Sequence, residues 1–226
     1  MNSTDIVWLV GRATIGSLVR LVAPLRVYGR ERVPQFGGVV LALNHFSWLD
    51  PAAFGAASPR TIYYMAKIEA HGVPGLGQLI RAFGTFSVRR GESDREAVRR
   101  MREVVREDKV LGVFTEGTRQ RSGVPGKVQP GAAMVALQED VPVVCGAIHG
   151  SQYWKPGNFA PVSVAFGEPM RFDGLPRNGR GYREASAEIE AELHRLWSWL
   201  RELHELGRPR VARPPSRPDR APVTLP

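Results

Sequence analysis

The chain has one cysteine among its 226 residues, so it cannot form an internal disulfide. Cys145 lies in the apolar run Val141–Ile148, where a buried structural thiol is expected in preference to a nucleophile. Long uncharged apolar runs are also missing, because arginines interrupt the apolar-rich residues 5–27, which makes a transmembrane span a poor prediction. Those residues also lack a basic n-region and a small-residue cleavage motif, so they do not fit a signal peptide. A reducing, cytosol-facing environment fits these absences.

Acidic side chains are too few to balance the basic ones, and the net charge is +9 with a sequence pI near 10.4. This excess favours polyanionic partners, which include nucleic acid, anionic lipid headgroups and phosphorylated substrates. The sequence contains no zinc-finger spacing and no aromatic-rich RNA-binding motif, so no nucleic-acid partner is expected. A basic module that binds nucleic acid or membrane without catalysis is the alternative from another class, and steep salt dependence would identify nucleic-acid binding.

The two ends of the chain differ in composition from the part between them. Residues 1–27 are apolar but carry Arg12, Arg20 and Arg26, which favours an amphipathic helix lying in a membrane interface or packed on the domain. Residues 207–226 hold five arginines, six prolines and one acidic residue, which predicts a disordered basic tail. That tail either attracts an anionic membrane surface or only keeps the protein soluble.

Residues 28–206 alternate short apolar runs with amphipathic helical patterns, which predicts a single α/β domain. A mostly parallel or mixed central sheet flanked by helices is expected. Five runs are strand-like in length and β-branched content, at residues 39–43, 62–65, 110–114, 141–148 and 162–166. A capping box at Ser93–Glu96 opens one helix, and apolar residues at helical spacing between Ile189 and Leu203 mark another.

Residues suited to proton transfer follow directly after the first predicted strand of this domain. His45 and Asp50 lie in the run Asn44–Asp50, just beyond the apolar run that ends at Leu43. A histidine can take a proton from an alcohol, and a carboxylate on its other nitrogen fixes the tautomer and stabilises the imidazolium. The alternative is that both residues only cap or pack.

Two further predicted strands end at residues that suit an anionic substrate. Thr118 and Arg119, after Glu116 and Gly117, offer a hydroxyl and a forked guanidinium to a phosphate, and Gly117 permits a sharp turn. Alternatively, Glu116 neutralises Arg119 in a structural ion pair. A short strand before Arg89 and Arg90 would direct at most one of these arginines to a given face. Together the three strand ends predict a site at one edge of an open sheet.

These segments resemble the conserved blocks of one family. Asn44–Asp50 (Asn-His-Phe-Ser-Trp-Leu-Asp) resembles the Asn-His-x-Ser-x-x-Asp block of the glycerolipid acyltransferases, the lysophosphatidic acid acyltransferase (PlsC-like) group. Gly84–Gly91, Phe114–Arg119 and Val141–Val144 resemble the second, third and fourth blocks in the family's order, and Met65–Lys67 resembles a linking segment. The resemblance covers roughly residues 27–166 and implies a glycerol-3-phosphate acyltransferase-like fold.

The resemblance also implies a reaction. An acyl thioester, acyl-CoA or acyl-ACP, would donate its acyl group to the free sn-2 hydroxyl of 1-acylglycerol 3-phosphate, giving phosphatidic acid in phospholipid biosynthesis. His45 would be the general base and Asp50 its orienting partner, with Asn44 and Ser47 in supporting roles and no acyl-enzyme. Another lysophospholipid or polyol acceptor is the alternative within the family. A hydrolase using Ser47 or Cys145 is a rival, but the Gly-x-Ser-x-Gly elbow is missing.

By the same resemblance, the acceptor's phosphate would be bound by Arg119 and Arg90, with Lys67 beside them. Glu116, Gly117 and Thr118 would shape that pocket, and apolar residues around Pro142 would border an acyl channel or simply form core. No metal and no cofactor are implied, because one histidine and one aspartate are too few ligands for a catalytic zinc. The expected location is the cytoplasmic face of a membrane, as a peripheral or monotopic O-acyltransferase.

Overall fold

Short apolar, β-branched runs form the strands of the protein. The computed structural model describes residues 16–17, 19–67, 86–88 and 94–217. The strands in this part of the chain are β1 Leu25–Tyr28, β2 Val39–Leu43, β3 Ile62–Lys67, β4 Phe86–Val88, β5 Val110–Phe114, β6 Val143–His149 and β7 Val162–Phe166. Every residue of β2, β6 and β7 is buried, as expected of central strands covered on both faces.

The strands of the described residues form one seven-stranded sheet in the order β1-β7-β6-β2-β5-β3-β4. All neighbouring pairs are parallel except β6 and β7, which are antiparallel. Strand β2 lies between β5 and β6, with Leu43 in register with Phe114 and Gly146. Because parallel strands end at the same edge, the residues that follow β2, β5, β3 and β6 meet there.

Helices connect the strands and cover the sheet. The α-helices that the structure describes from end to end are α1 Asp50–Ala57, α2 Asp94–Arg106, α3 Gly131–Glu139 and α4 Gly179–Glu205. Asn178 caps α4 by accepting hydrogen bonds from the backbone N–H groups of Arg180 and Gly181. The apolar stripe predicted for α4 is buried and packs on β6. The predicted fold class, a single α/β domain with a mixed sheet flanked by helices, is confirmed.

The amino-terminal segment departs from the predicted helix at its end. Residues 16–17 and 19–22 are helical, but Leu25–Tyr28 is strand β1, so the prediction that the helix extends to residue 27 is wrong there. Pro24 gives the reason, because proline disfavours helical geometry in the residue before it. Val19 and Ala23 are buried in the core, and Arg20 donates to the carbonyl of Ala56 at 3.1 Å. Residues 1–15 lie outside the described part of the chain.

The carboxyl-terminal segment is ordered further than its composition predicts. The prediction of a disordered tail is wrong for residues 207–217, which lie along the domain. Tyr28 donates its hydroxyl to the carbonyl of Pro209 at 2.8 Å, and Arg32 donates to that of Pro214 at 2.7 Å. Arg208 donates to the carbonyl of Val162 at 2.7 Å. Hydrogen bonds from the domain to proline carbonyls thus order a segment with few apolar side chains, while residues 218–226 lie outside the described part.

Within the described residues, no helix combines the length and the apolar character needed to cross a bilayer.

Candidate active site at the carboxyl edge of the sheet

His45 and Asp50 contact each other where β2 ends and α1 begins. The distance between His45 Nδ1 and Asp50 Oδ2 is 2.9 Å. The same carboxylate oxygen accepts the backbone N–H groups of Phe46 at 2.6 Å and Ser47 at 2.7 Å. Asp50 is fully buried, whereas 17% of the His45 side chain is exposed. The backbone N–H groups of this turn therefore fix the Asp50 carboxylate, and the carboxylate fixes one nitrogen of the imidazole ring.

The other ring nitrogen of His45, Nε2, has no hydrogen-bond partner among the described residues. If Nδ1 carries the proton and donates it to Asp50, Nε2 presents a lone pair. This arrangement suits a general base, because the carboxylate would stabilise the imidazolium that forms when Nε2 takes up a proton.

Asn44 and Ser47 fix the turn that carries this pair. The buried Asn44 amide donates to the carbonyl of Ile148 at 3.2 Å and accepts its N–H at 2.8 Å, which ties the end of β2 to β6. Ser47 Oγ accepts the N–H of Leu49 at 3.3 Å, and its carbonyl accepts the N–H of Asp50 at 3.2 Å. Both side chains form hydrogen bonds to backbone groups, and for Ser47 this is the local role that was expected.

Glu116 binds backbone groups and not Arg119. Its Oε2 accepts the N–H of His45 at 2.7 Å, and its Oε1 accepts the N–H of Gly126 at 2.9 Å. Burial raises the pKa of Glu116 to about 7, although the two N–H donors act in the opposite direction. The alternative in which Glu116 neutralises Arg119 is therefore not what the structure shows.

The turn after β5 also binds the backbone carbonyl of His45. Gly117 has a φ of 70°, a left-handed conformation that glycine adopts without strain, as the sequence predicted for this turn. The N–H of Gln120 donates to the carbonyl of His45 at 2.8 Å, so both backbone groups of His45 bond to residues of this loop. Thr118 and Arg119 are exposed. The Arg119 guanidinium has no ion-pair or hydrogen-bond partner in the described part of the chain, so it is available to an anion.

An aromatic stack that the sequence motifs did not indicate lies behind His45. The His45 and Phe114 rings are stacked with centroids 4.1 Å apart, and Tyr64 stacks on Phe114 at 5.7 Å. Tyr64 also donates its hydroxyl to the carbonyl of Pro51 in α1 at 3.1 Å. Phe114 pairs with Leu43, two residues before His45, because β5 lies in register beside β2. A correct pairing of these two strands would therefore have placed Phe114 next to His45. The stack restricts how the imidazole can rotate.

The structure describes neither side chain of two predicted phosphate-binding residues, Arg90 and Lys67. Arg90 lies outside the described residues, and so do most of the residues in the block Gly84–Gly91. Lys67 is the last residue of β3 and pairs with Val88, the last residue of β4, so both strands end at the carboxyl edge. Among the described residues, no group of three or more histidine, cysteine, aspartate or glutamate side chains could hold a metal ion.

Cys145 does not have the environment of a nucleophile. It is fully buried in β6, with its sulfur 3.8 Å from the sulfur of Met170. Burial raises the pKa of its thiol well above the ordinary value, which suppresses the reactive thiolate. These properties match the buried structural thiol expected from the sequence.

The mixed sheet flanked by helices brings a histidine and a buried carboxylate into contact at its carboxyl edge, an arrangement suited to proton transfer. Residues 24–149, more than half of the chain, match the family model described as Acyltransferase, and the chain belongs to this family. The PlsC-like resemblance and the prediction of an O-acyltransferase enzyme are confirmed.

Similar proteins carry related names. The chain is 28% identical over 193 residues to the 1-acyl-sn-glycerol-3-phosphate acyltransferase of Bacillus subtilis (strain 168), which covers 79% of this chain and 94% of that protein. It is 25% identical over 183 residues to the Pseudomonas aeruginosa protein of the same name, covering 77% and 70%. The crystal structure of the 1-acyl-sn-glycerophosphate (LPA) acyltransferase PlsC from Thermotoga maritima shares the fold, with a TM-score of 0.69, 22% identity, and coverage of 90% of this chain and 79% of that one.

Proposed function

We propose that the protein transfers a fatty acyl group from an acyl thioester to the sn-2 hydroxyl of 1-acylglycerol 3-phosphate. The product would be phosphatidic acid, an intermediate of phospholipid biosynthesis. The names of the relatives support this acceptor, and the free guanidinium of Arg119 beside the site supports a phosphorylated one. Acyl-CoA and acyl-ACP both supply the thioester that the reaction needs.

The observation that carries the proposal is the 2.9 Å contact between His45 Nδ1 and buried Asp50 Oδ2. In the proposed reaction, His45 Nε2 removes the proton of the acceptor hydroxyl as the oxygen attacks the thioester carbonyl. The carbonyl then re-forms as the C–S bond breaks, and the carrier leaves as its thiol by taking the proton that His45 holds. Asp50 stabilises the imidazolium formed on His45, so catalysis needs no acyl-enzyme and no metal.

The phosphate of the acceptor would lie at the exposed turn after β5. Arg119 would bind it with its guanidinium and Thr118 with its hydroxyl, and Arg90 and Lys67 would complete the site. Glu116 would position the turn without touching the phosphate, because its carboxylate accepts the N–H groups of His45 and Gly126. The fold would then set the distance between the general base and the phosphate-binding turn.

The protein would work on the cytoplasmic face of a membrane as a peripheral or monotopic enzyme, because its acceptor is a lipid and its thioester donor is cytosolic. An anionic membrane surface, the lysolipid and the acyl carrier would be its partners, and the net charge of +9 supports the first of these. The proposal includes no cofactor and no nucleic acid.

Thiol release from acyl-CoA in mixed micelles with lysophosphatidic acid tests the reaction. Acceptor-dependent release by the parent chain, its loss in His45→Ala, and a higher acceptor KM in Arg119→Ala are expected. Arg213→Ala is the matched control, because Arg213 is also exposed and far from the turn in sequence. Release that persists unchanged in His45→Ala would reject the mechanism, and release only with acyl-ACP or another acceptor would revise the substrates.

A further inference from the structure

Exposed aromatic side chains follow two of the strands that end at the carboxyl edge, and the proposed chemistry does not use them. Trp48 is three residues from His45 and 63% exposed, Tyr153 is 65% exposed and Phe159 is 55% exposed. They belong to the turn after β2 and to the loop of residues 150–161 after β6. We call Trp48, the loop of residues 117–130 and the loop of residues 150–161 the rim. All three parts follow strands that end at the carboxyl edge.

The three parts of the rim lie side by side. The Trp48 ring packs edge-on against Trp154, with centroids 5.1 Å apart. Trp154 is buried and donates its indole N–H to the carbonyl of Val22 at 2.9 Å. A Cβ placed on Gly123 would lie 3.4 Å from Gln152 Cγ, so the two loops lie close together. The rim is therefore a continuous surface next to His45.

The loop of residues 150–161 is braced so that it exposes its aromatic side chains. Asn158 Oδ1 accepts the backbone N–H groups of Lys155 at 3.0 Å and Ala160 at 3.1 Å, and its Nδ2 donates to the carbonyl of Tyr153 at 2.8 Å. Phe159 has a φ of 49°, a left-handed conformation that bulky residues rarely adopt. The network around Asn158 thus maintains an unfavourable backbone conformation that leaves Phe159 directed to solvent.

The charge of the rim has one sign. Its loops contain Arg119, Arg121, Lys127 and Lys155, all exposed, and neither loop contains an aspartate or a glutamate. Exposed aromatic rings with basic groups between them match the lipid–water interface, where Trp and Tyr lie at headgroup level and Lys and Arg attract anionic lipids. The helical residues at 19–22 extend this surface, because Leu21 is 69% exposed next to the Val22 carbonyl that Trp154 binds.

We propose that the rim is the surface by which the protein docks on a membrane containing anionic phospholipid, with Tyr153 and Phe159 entering the interface. The proposal rests on the proposed function, since a lipid acceptor must reach His45 from a membrane. Docking through the rim places the catalytic pair over the lipid surface and leaves the opposite edge of the sheet in water.

A fluorescent label at position 159 tests whether the rim enters the interface. Because Cys145 is buried, Phe159→Cys in the full chain can be labelled selectively with an environment-sensitive dye. Vesicles of phosphatidylcholine with phosphatidylglycerol should shift the emission to the blue, and vesicles of phosphatidylcholine alone should shift it much less. Phe36→Cys is the control, since Phe36 is 89% exposed and precedes β2 at the opposite edge, and its label should not respond. Equal responses at positions 159 and 36 would overturn the proposal.

Vesicle co-sedimentation measures the contribution of the aromatic and basic groups. The double variant Tyr153→Ser with Phe159→Ser should bind anionic vesicles about tenfold more weakly, from partial burial of two aromatic side chains, whereas Phe36→Ser should bind like the parent. Lys155→Glu should weaken binding, whereas Arg177→Glu, an exposed charge reversal before α4, should not. Unchanged vesicle binding in both rim variants would overturn the proposal, and so would loss of acyl carrier protein binding without loss of vesicle binding.

Acyl transfer is not required for either measurement, so the two proposals fail separately. Rim-dependent vesicle binding by a chain that transfers no acyl group would uphold docking and reject the proposed function. Acyl transfer to lysophosphatidic acid in vesicles, with rim variants as active and as tightly bound as the parent, would uphold the function and reject docking.

Discussion

Replacing Asp50 by asparagine removes a charge from the site while keeping an oxygen in the same place. The amide oxygen can still accept the N–H groups of Phe46 and Ser47, so the turn should fold as before. The lost quantity is the attraction between the carboxylate and an imidazolium on His45. At 2.9 Å and an effective dielectric constant of about 20, that attraction is about 6 kcal/mol for a full charge.

The expected effect on rate follows from how much charge His45 carries in the transition state. Half to full proton transfer corresponds to about 3 to 6 kcal/mol, so kcat should fall by roughly 10² to 10⁴. The acceptor KM should change little, because Asp50 is buried and does not reach the substrate. Steady-state thiol release with varied acceptor separates the two parameters.

Two controls make this result decisive. Asp140→Asn changes an exposed carboxylate in a left-handed position that asparagine tolerates, and it should keep full activity. Thermal unfolding followed by circular dichroism should give Asp50→Asn a midpoint close to that of the parent. A folded Asp50→Asn chain with an unchanged kcat would refute the role assigned to this contact.

Three further predictions concern stability and reactivity. Because burial raises the pKa of Glu116 from 4.5 to about 7, its favourable contribution is complete below pH 4.5 and is lost as the pH rises through 7. The free energy of unfolding of the parent relative to Glu116→Gln should therefore fall by up to about 3 kcal/mol over that range, and a pH-independent difference in urea unfolding would contradict this. Gly112→Ala should cost about 1 to 3 kcal/mol in the same assay, because its Cβ would lie 2.5 Å from Ile62 Cγ2, whereas Gly55→Ala in α1 meets nothing within 4 Å and should not destabilise. Cys145 should resist a thiol reagent in the native protein and react after denaturation, since it is buried with a raised pKa; rapid native labelling would show that β6 opens.

Strands and long amphipathic helices could be predicted because burial determines their sequence patterns. The bounds of β2, β5 and β7 agree with the apolar runs, and α4 contains the predicted stripe. Helices α1 and α3 escaped prediction because they are short and rich in alanine and other apolar residues, which leaves no polar face to mark a helical period. The sequence predicts a helix through residue 27, where β1 lies, because residues 25–27 continue an apolar segment across Pro24.

Contacts to backbone atoms are the part of the site and of the tail that the sequence cannot predict. The sequence indicated His45, Asp50 and Glu116 as candidates, but it could not show that Glu116 bonds to the His45 and Gly126 N–H groups, since any residue offers an N–H. The prediction of disorder for residues 207–217 is wrong for a similar reason, because these residues are held through their backbone carbonyls. Their anchors are proline carbonyls that accept from Tyr28 and Arg32, and composition does not record such partners.

The position of β1 has a consequence for synthesis of the chain on the ribosome. Among the strands that the structure describes, β1 is at the edge of the sheet and pairs only with β7, so Leu25 cannot pair until Val162 has been made. The central pairing of β2 with β5 needs far less of the chain and can be completed earlier. Until β7 emerges, Val19 and Ala23 lack the finished core that buries them. Residues 19–28 are thus made before most of the sheet and are among the last to be enclosed.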